Sequence, residues 1–431
     1  MRVSMPSMFL VLAALTLGTL GACGAWAQEG SGKDERGNTT QQKKEELERL
    51  RRAAAEAEKK EEAEESPEET TFKSGNLGLQ KLNPEISVTG DMLGTYQSEE
   101  SQGPAWNTEF RGLGLHLEAY LDPYSRFKAA LPFSQEGAEL EEAYFTRYGL
   151  IGGTNITFGK FRQQFGIVNR WHKHALDWFD FPLALRSIFG PGGLNGTGLS
   201  FESNASTGRV VHSLTIEVTD GDNPSLFGQN SKNRPSILAY YDAYQDLSPS
   251  TYLELGATGL VGWNDTWRAG DETVTDTRTA SVYGADLNLL WEPTGRMRYR
   301  NVEWRTEAYL ADKRILAPDG SGADKLRPWG LYSLLQAKVS RTIELGVRYD
   351  YFQPEVRSYA SMEALPMAST AVSAVDDCRR SAGTWLTWWQ SPFVKFRGGY
   401  TYEKGEAEDS AVHSATFQMV FAAGPHKHER Y

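Results

Sequence analysis

Val302-Glu303-Trp304-Arg305-Thr306-Glu307-Ala308-Tyr309-Leu310 alternates in character along its length. In an extended chain successive side chains point to opposite faces, so Val302, Trp304, Ala308 and Leu310 share one side and Glu303, Arg305, Glu307 and Tyr309 the other. The first face is apolar with an aromatic member, and the second carries full charges in mid-strand. A soluble sandwich also alternates, but its polar face looks at bulk water. An apolar face with aromatic ends fits lipid bounded by interfacial girdles.

The same period of two recurs outward from this stretch in both directions. Tyr283, Ala285, Leu287, Leu289 and Trp291 oppose Gly284, Asp286 and Asn288. Ile343, Leu345, Val347 and Tyr349 oppose Glu344, Gly346, Arg348 and Asp350, and Val394, Phe396, Tyr400 and Tyr402 oppose Lys395, Arg397, Thr401 and Glu403. Leu113, Leu115, Leu117 and Ala119 oppose Gly114, His116, Glu118 and Tyr120. In all, about sixteen such strands fit between Pro84 and Ala423. Every second connection is tight, as at Asp122-Pro123, Ser248-Pro249, Ser340-Arg341 and Ser391-Pro392, and the others are longer, as at 164–196, 220–235 and 354–382. That rhythm predicts an all-β fold, a transmembrane antiparallel β-barrel over residues 83–431 with short periplasmic turns and long outer loops. An even count closes the sheet and leaves no backbone edge in lipid. A barrel this wide holds an aqueous lumen, whereas eight strands would be filled by side chains.

Ahead of the barrel lie three zones. Residues 1–27 read as a signal peptide, with an apolar run Met8 to Leu20 and an Ala25-Trp26-Ala27 cleavage site. Leu20-Gly21-Ala22-Cys23 offers the competing reading of a lipobox. Residues 28–40 are a polar tether. Residues 41–66 are rich in Lys, Glu, Arg and Ala without Gly or Pro, so a helix is expected. Leu47, Leu50, Ala54 and Ala57 form a short a/d seam, which leaves open a solvated single helix or a periplasmic coiled coil that helps trimers form. With two cysteines, one of them in the leader, a disulfide framework is excluded, and Cys378 is expected as a lone residue in a surface loop.

Several stretches resemble a family of porin-like Gram-negative outer-membrane barrels. They are Asn83-Pro84-Glu85-Ile86-Ser87-Val88, His172-Lys173-His174-Ala175-Leu176, Phe181-Pro182-Leu183, Gly193-Leu194-Asn195-Gly196-Thr197-Gly198 and the end from Gly424-Pro425-His426 to Tyr431. Phe158-Gly159-Lys160-Phe161-Arg162-Gln163-Gln164-Phe165-Gly166 is more distantly similar to phosphate-selective porins of the O and P type. The resemblance implies a β-barrel channel, usually a homotrimer in outer-membrane lipid, with no enzyme activity and no cofactor.

A phosphate channel is expected to line its pore with bases that draw in and desolvate the anion. Here the expected lumen is mixed. Arg126, Lys128, Arg305, Arg348, Lys395 and Arg397 are its bases, and Glu303, Glu307, Glu344 and Asp350 are among acids that outnumber them. Weak selectivity or a mild cation preference follows, with cross-strand pairing as the plain alternative for any one charge. The connection 165–196 carries Trp171, Asp177, Trp178, Phe179, Asp180, Phe181 and Phe189 and is too apolar to float in water. It is expected either to fold inward as a constriction loop or to pack over the rim or at a subunit contact. His172 and His174 could ligate zinc or copper with a nearby carboxylate, although their spacing fixes no third ligand. His426 and His428 form a second such pair.

No P-loop, dinucleotide fingerprint, His-Glu-x-x-His or Gly-x-Ser-x-Gly occurs in the sequence. The net charge of −11 leaves no nucleic-acid footprint. The reading is a porin-like channel for passive diffusion of small hydrophilic solutes in the bacterial outer membrane. A structural or adhesive barrel and a metal-linked uptake barrel are the alternatives.

Overall fold

The computed structural model describes residues 85–99, 103–134, 137–228, 234–264, 267–269, 272–274, 278–295, 300–316, 323–354, 378–405 and 411–424. The leader, the tether, the helix expected over 41–66 and the pair His426 and His428 lie outside the described residues.

Sixteen antiparallel strands form a closed barrel. In chain order they are β1 Glu85–Glu99, β2 Gly103–Asp122, β3 Ser125–Ser134, β4 Glu142–Ile151, β5 Thr154–Arg162, β6 Asn195–Thr207, β7 Val210–Thr219 and β8 Ser236–Ser248. The second half comprises β9 Thr251–Asn264, β10 Arg278–Trp291, β11 Asn301–Leu316, β12 Trp329–Lys338, β13 Ile343–Gln353, β14 Arg379–Ser391, β15 Val394–Gly405 and β16 Val412–Ala423. Each strand pairs with the next, and β1 closes the ring: Val88 lies opposite both Leu115 on β2 and Ala423 on β16. Each of the sixteen matches an alternating stretch of the sequence, because a two-sided environment imposes the period of two directly.

Burial is inverted relative to a soluble protein. On β11, Trp304 is 39% and Leu310 42% exposed, whereas Arg305 and Glu307 are each 1% exposed. On β10, Tyr283 is 55% exposed and Asp286 6%. Apolar side chains outside and charges inside are stable only if the outer surface meets hydrocarbon.

The hydrophobic cluster therefore sits within the lumen, and the chain between β5 and β6 supplies about half of it. Phe165, Trp171, Trp178, Phe179, Phe181, Leu185 and Phe189 pack against wall residues such as Tyr240, Leu260, Val282, Tyr309, Tyr332 and Trp385. A short helix, α1 Leu183–Phe189, lies against β11, β12 and β13. The β7–β8 connection also turns inward, through α2 Pro224–Phe227. Asn223 begins α2 by accepting from Leu226 N, and its Nδ2 donates to Phe189 O at 2.9 Å, which ties the two inward segments together.

Cys378 departs from expectation. It is buried, just before β14, with Sγ 3.4 Å from the Tyr351 hydroxyl. A thiol reagent applied to a Cys23→Ser background should label Cys378 only after the barrel is unfolded; rapid labelling of the folded protein would contradict its burial.

Candidate functional site

The segment 163–194 leaves the barrel wall at Arg162 and returns at Asn195. Its two ends are clasped together. Arg162 donates from Nε to Asn169 O at 2.7 Å and from Nη2 to Gly192 O at 2.9 Å, and pairs with Glu141 at 2.5 Å. Asn169 Nδ2 bonds Gln163 O and Leu194 O, while its Oδ1 accepts from Leu194 N. Once closed, the segment presents to the lumen a row of backbone amides and carbonyls that need partners.

The lumen charges are those partners. Glu307 accepts from the amides of Ile167 and Val168 at 3.2 and 3.1 Å, and also from the hydroxyls of Tyr309 and Tyr332. Gly166 makes this approach possible: its φ is +59°, and a Cβ there would collide with the Glu307 carboxylate. Asp350 accepts from Leu183 N at 2.9 Å. Among the bases, Lys395 Nζ donates to His174 O at 2.8 Å and Arg397 Nη1 to Trp178 O at 2.9 Å. Arg348 Nη1 donates to Asp180 O at 3.0 Å, and Arg111 to Phe179 O. Arg305 pairs with Asp177 at 3.0 Å and with Glu303, and its guanidinium lies 4.3 Å from the centre of the Trp171 ring.

Most of the lumen charges named from the sequence thus converge on one segment from β11, β13 and β15. Three lie apart from it: Arg126 pairs with Glu118 at 2.5 Å, Glu344 with Lys338 at 3.5 Å, and Lys128 is buried on β3. Cross-strand pairing accounts for Arg126 and Glu344, while Glu307, Asp350, Arg348, Lys395 and Arg397 hold loop backbone and Arg305, backed by Glu303, holds Asp177, roles that alternation along strands does not encode.

The aromatics fit because the wall gives way beneath them. A Cβ on Gly383 would lie 2.5 Å from Trp178 Cη2, on Gly399 2.8 Å from Phe179 Cε2, and on Gly284 2.8 Å from Phe165 Cε1. These glycines occupy inward positions in mid-strand, where glycine is otherwise unfavourable and marks close approach of another group. That was a usable signal in the sequence. Trp178 also rests on Trp385 at 4.8 Å and under Arg348 at 5.1 Å.

His172 and His174 meet a third imidazole that spacing could not supply. His116 of β2 lies 5.2 Å from the His172 ring and 5.3 Å from that of His174. His172 is 2% exposed, with Nδ1 3.2 Å from Glu141 Oε2 and Nε2 3.1 Å from Glu142 Oε2. Burial alone would push its pKa down, but the two carboxylates outweigh that and hold it up at about 9. Glu141, despite its own burial, is held well below the usual carboxylate range by His172 and Arg162. Both ring nitrogens of His172 therefore face anions, and among the described residues no group of three or more His, Cys, Asp or Glu is arranged to hold a metal ion.

The inward segment does not fill the lumen. A cavity of about 640 Å³ remains beside it, lined among others by Asp91, Arg111, His116, His172, Lys173 and Gly192.

With this architecture in hand, likeness to known proteins is informative about fold. No family model matches the chain. An uncharacterized protein of Aquifex aeolicus (strain VF5) is 36% identical over 114 residues, which is 26% of this chain and 24% of that relative, so the match spans about a quarter of the relative's length. The outer membrane channel DcaP of Acinetobacter baumannii superposes with a TM-score of 0.51 at 12% identity, over 79% of this chain and 98% of that one. OprB of Pseudomonas putida gives 0.50 at 10% identity over 80% and 95%. An anion-selective porin from Comamonas acidovorans gives 0.50 at 9% identity over 79% and 99%. The chain has the fold of a porin-like outer-membrane barrel. The likeness is to porin barrels in general and does not single out the phosphate-selective type. A closed barrel with an apolar exterior of this kind resides in the bacterial outer membrane.

Proposed function

We propose that the protein is a passive diffusion channel for small hydrophilic solutes, weakly selective, in which segment 163–194 narrows the lumen and the route runs through the cavity beside it. The observation that carries this reading is the clasp itself: an aromatic segment held across the lumen by Arg305, Arg348, Lys395, Arg397, Glu307 and Asp350, with an open cavity on one flank. Trp171, Asp177, Trp178 and Asp180 are then parts of a constriction. Because those bases already hold loop carbonyls or Asp177, they are poor candidates for a ladder that would strip and pass phosphate. The reading includes export with loss of residues 1–27 and assembly as a homotrimer, with the helix over 41–66 as a periplasmic contribution; the mass of the mature chain and of the detergent-solubilised complex tests both.

Refolded protein in a planar bilayer should give stable conductance steps and, in a salt gradient, a small reversal potential of cation-leaning sign. A folded barrel that never conducts would sink the channel reading and bring a structural or adhesive role forward.

A further inference from the structure

His172 is placed where a proton determines whether the segment stays on the wall. Neutral imidazole has one donor and one acceptor nitrogen, and only imidazolium donates from both. With Glu141 at one nitrogen and Glu142 at the other, loss of the proton turns one contact into a lone pair facing a carboxylate. The ring lies at the edge of the cavity, and the adjoining Lys173 and His174 line it too. The geometry points to His172 as a proton-locked latch that keeps residues 172–174 against β4 and releases them, widening the cavity, when the imidazolium is lost. The latch rests on the proposed solute route through that cavity.

The charges around the ring come from every element packed on it. Glu142 and Glu141 come from β4 and the chain just before it, Lys128 from β3, His116 from β2, Arg162 from β5, and Lys173 and His174 from the segment itself. Arg162 shares Glu141 with His172, so the carboxylate keeps one partner when the latch opens, whereas Glu142 keeps its bond from Arg162 N. The wall is therefore stable without His172, and release is confined to the segment. Lys395 on His174 O limits how far the segment moves.

The sign of the pH dependence follows. The folded-state pKa, about 9, lies above the ordinary 6.5, so the tie is complete below the ordinary value and is lost as pH rises through about 9.

The test uses full-length refolded protein from about pH 7 to about pH 10.5, comparing the native chain with His172→Gln, and each variant is first shown to be folded by its heat-dependent gel migration. Native single-channel conductance is expected to rise by roughly 1.5- to 3-fold around pH 9, and His172→Gln to start near the raised level and stay flat. A nitroxide on Lys173→Cys, in a background where Cys23 and Cys378 are serine, reports the segment directly, and its spectrum should sharpen over the same interval only when His172 is present. An unchanged spectrum through the interval overturns the latch whatever the conductance does. A mobile spectrum with no conductance at any pH leaves the latch standing and overturns the channel reading. A conductance rise that is the same in His172→Gln assigns it to other groups and overturns the latch as its cause.

Discussion

Gly383→Leu is expected to raise single-channel conductance about twofold or more while leaving the barrel folded. The position faces inward on β14, and a Cβ alone would stand 2.5 Å from the Trp178 indole. A leucine cannot share that space, and overpacking at such a contact typically costs about 1–3 kcal/mol. The indole has the easier escape. The strand is fixed by its backbone ladders to β13 and β15, with Gly383 opposite Arg348 and Thr401, whereas Trp178 belongs to a segment held by side chains. Moving Trp178 strains the bond from Arg397 to its carbonyl and the contact with Trp385. The constriction should therefore loosen before the wall does. Conductance equal to that of the native protein, with a native spectrum for Trp178, would mean that the route does not pass this side of the segment.

The second large effect is on stability. Glu307→Ala removes the acceptor from the amides of Ile167 and Val168 and the hydroxyls of Tyr309 and Tyr332, four donors in a nearly inaccessible place. An orphaned buried donor costs about 1–3 kcal/mol, and loss of one partner from a buried charged network about 3–5 kcal/mol. A loss of about 3–5 kcal/mol in urea unfolding is expected, with Glu307→Gln intermediate because its amide retains one acceptor oxygen. If Glu307→Ala stays within about 1 kcal/mol of the native protein, the carboxylate is not what anchors the first limb of the segment.

The alternation that starts at Val302 was sufficient to place every strand of the barrel and to say which side of each meets lipid. It works because a strand side chain has only two directions, and in a membrane barrel those directions meet solvents of opposite polarity. The inward charges on β11, β13 and β15 were legible for the same reason. Their use was not. Arg397 reads from its strand as a pore-lining base, yet it holds Trp178 O, a carbonyl 219 residues away in sequence. Nothing in local periodicity records such a pairing, since backbone carbonyls carry no signature of their own. The contacts of Arg111, Asn169, Glu141 and His116 are unreadable on the same ground, although the inward direction of His116 is not, and a lone cysteine in a long connection such as Cys378 has no local reason to be buried. Besides the aromatic content of the segment itself, the glycines at 284, 383 and 399 are a trace of it in the wall, an anomaly in strand composition that makes sense once an aromatic ring lies over each. Strand periodicity and composition suffice for the barrel, its sidedness and the apolar character of the segment between β5 and β6. That this segment crosses the lumen and that His172 sits between two carboxylates emerge on folding alone, because both depend on distances between residues separated in the chain, and local periodicity carries no record of those distances.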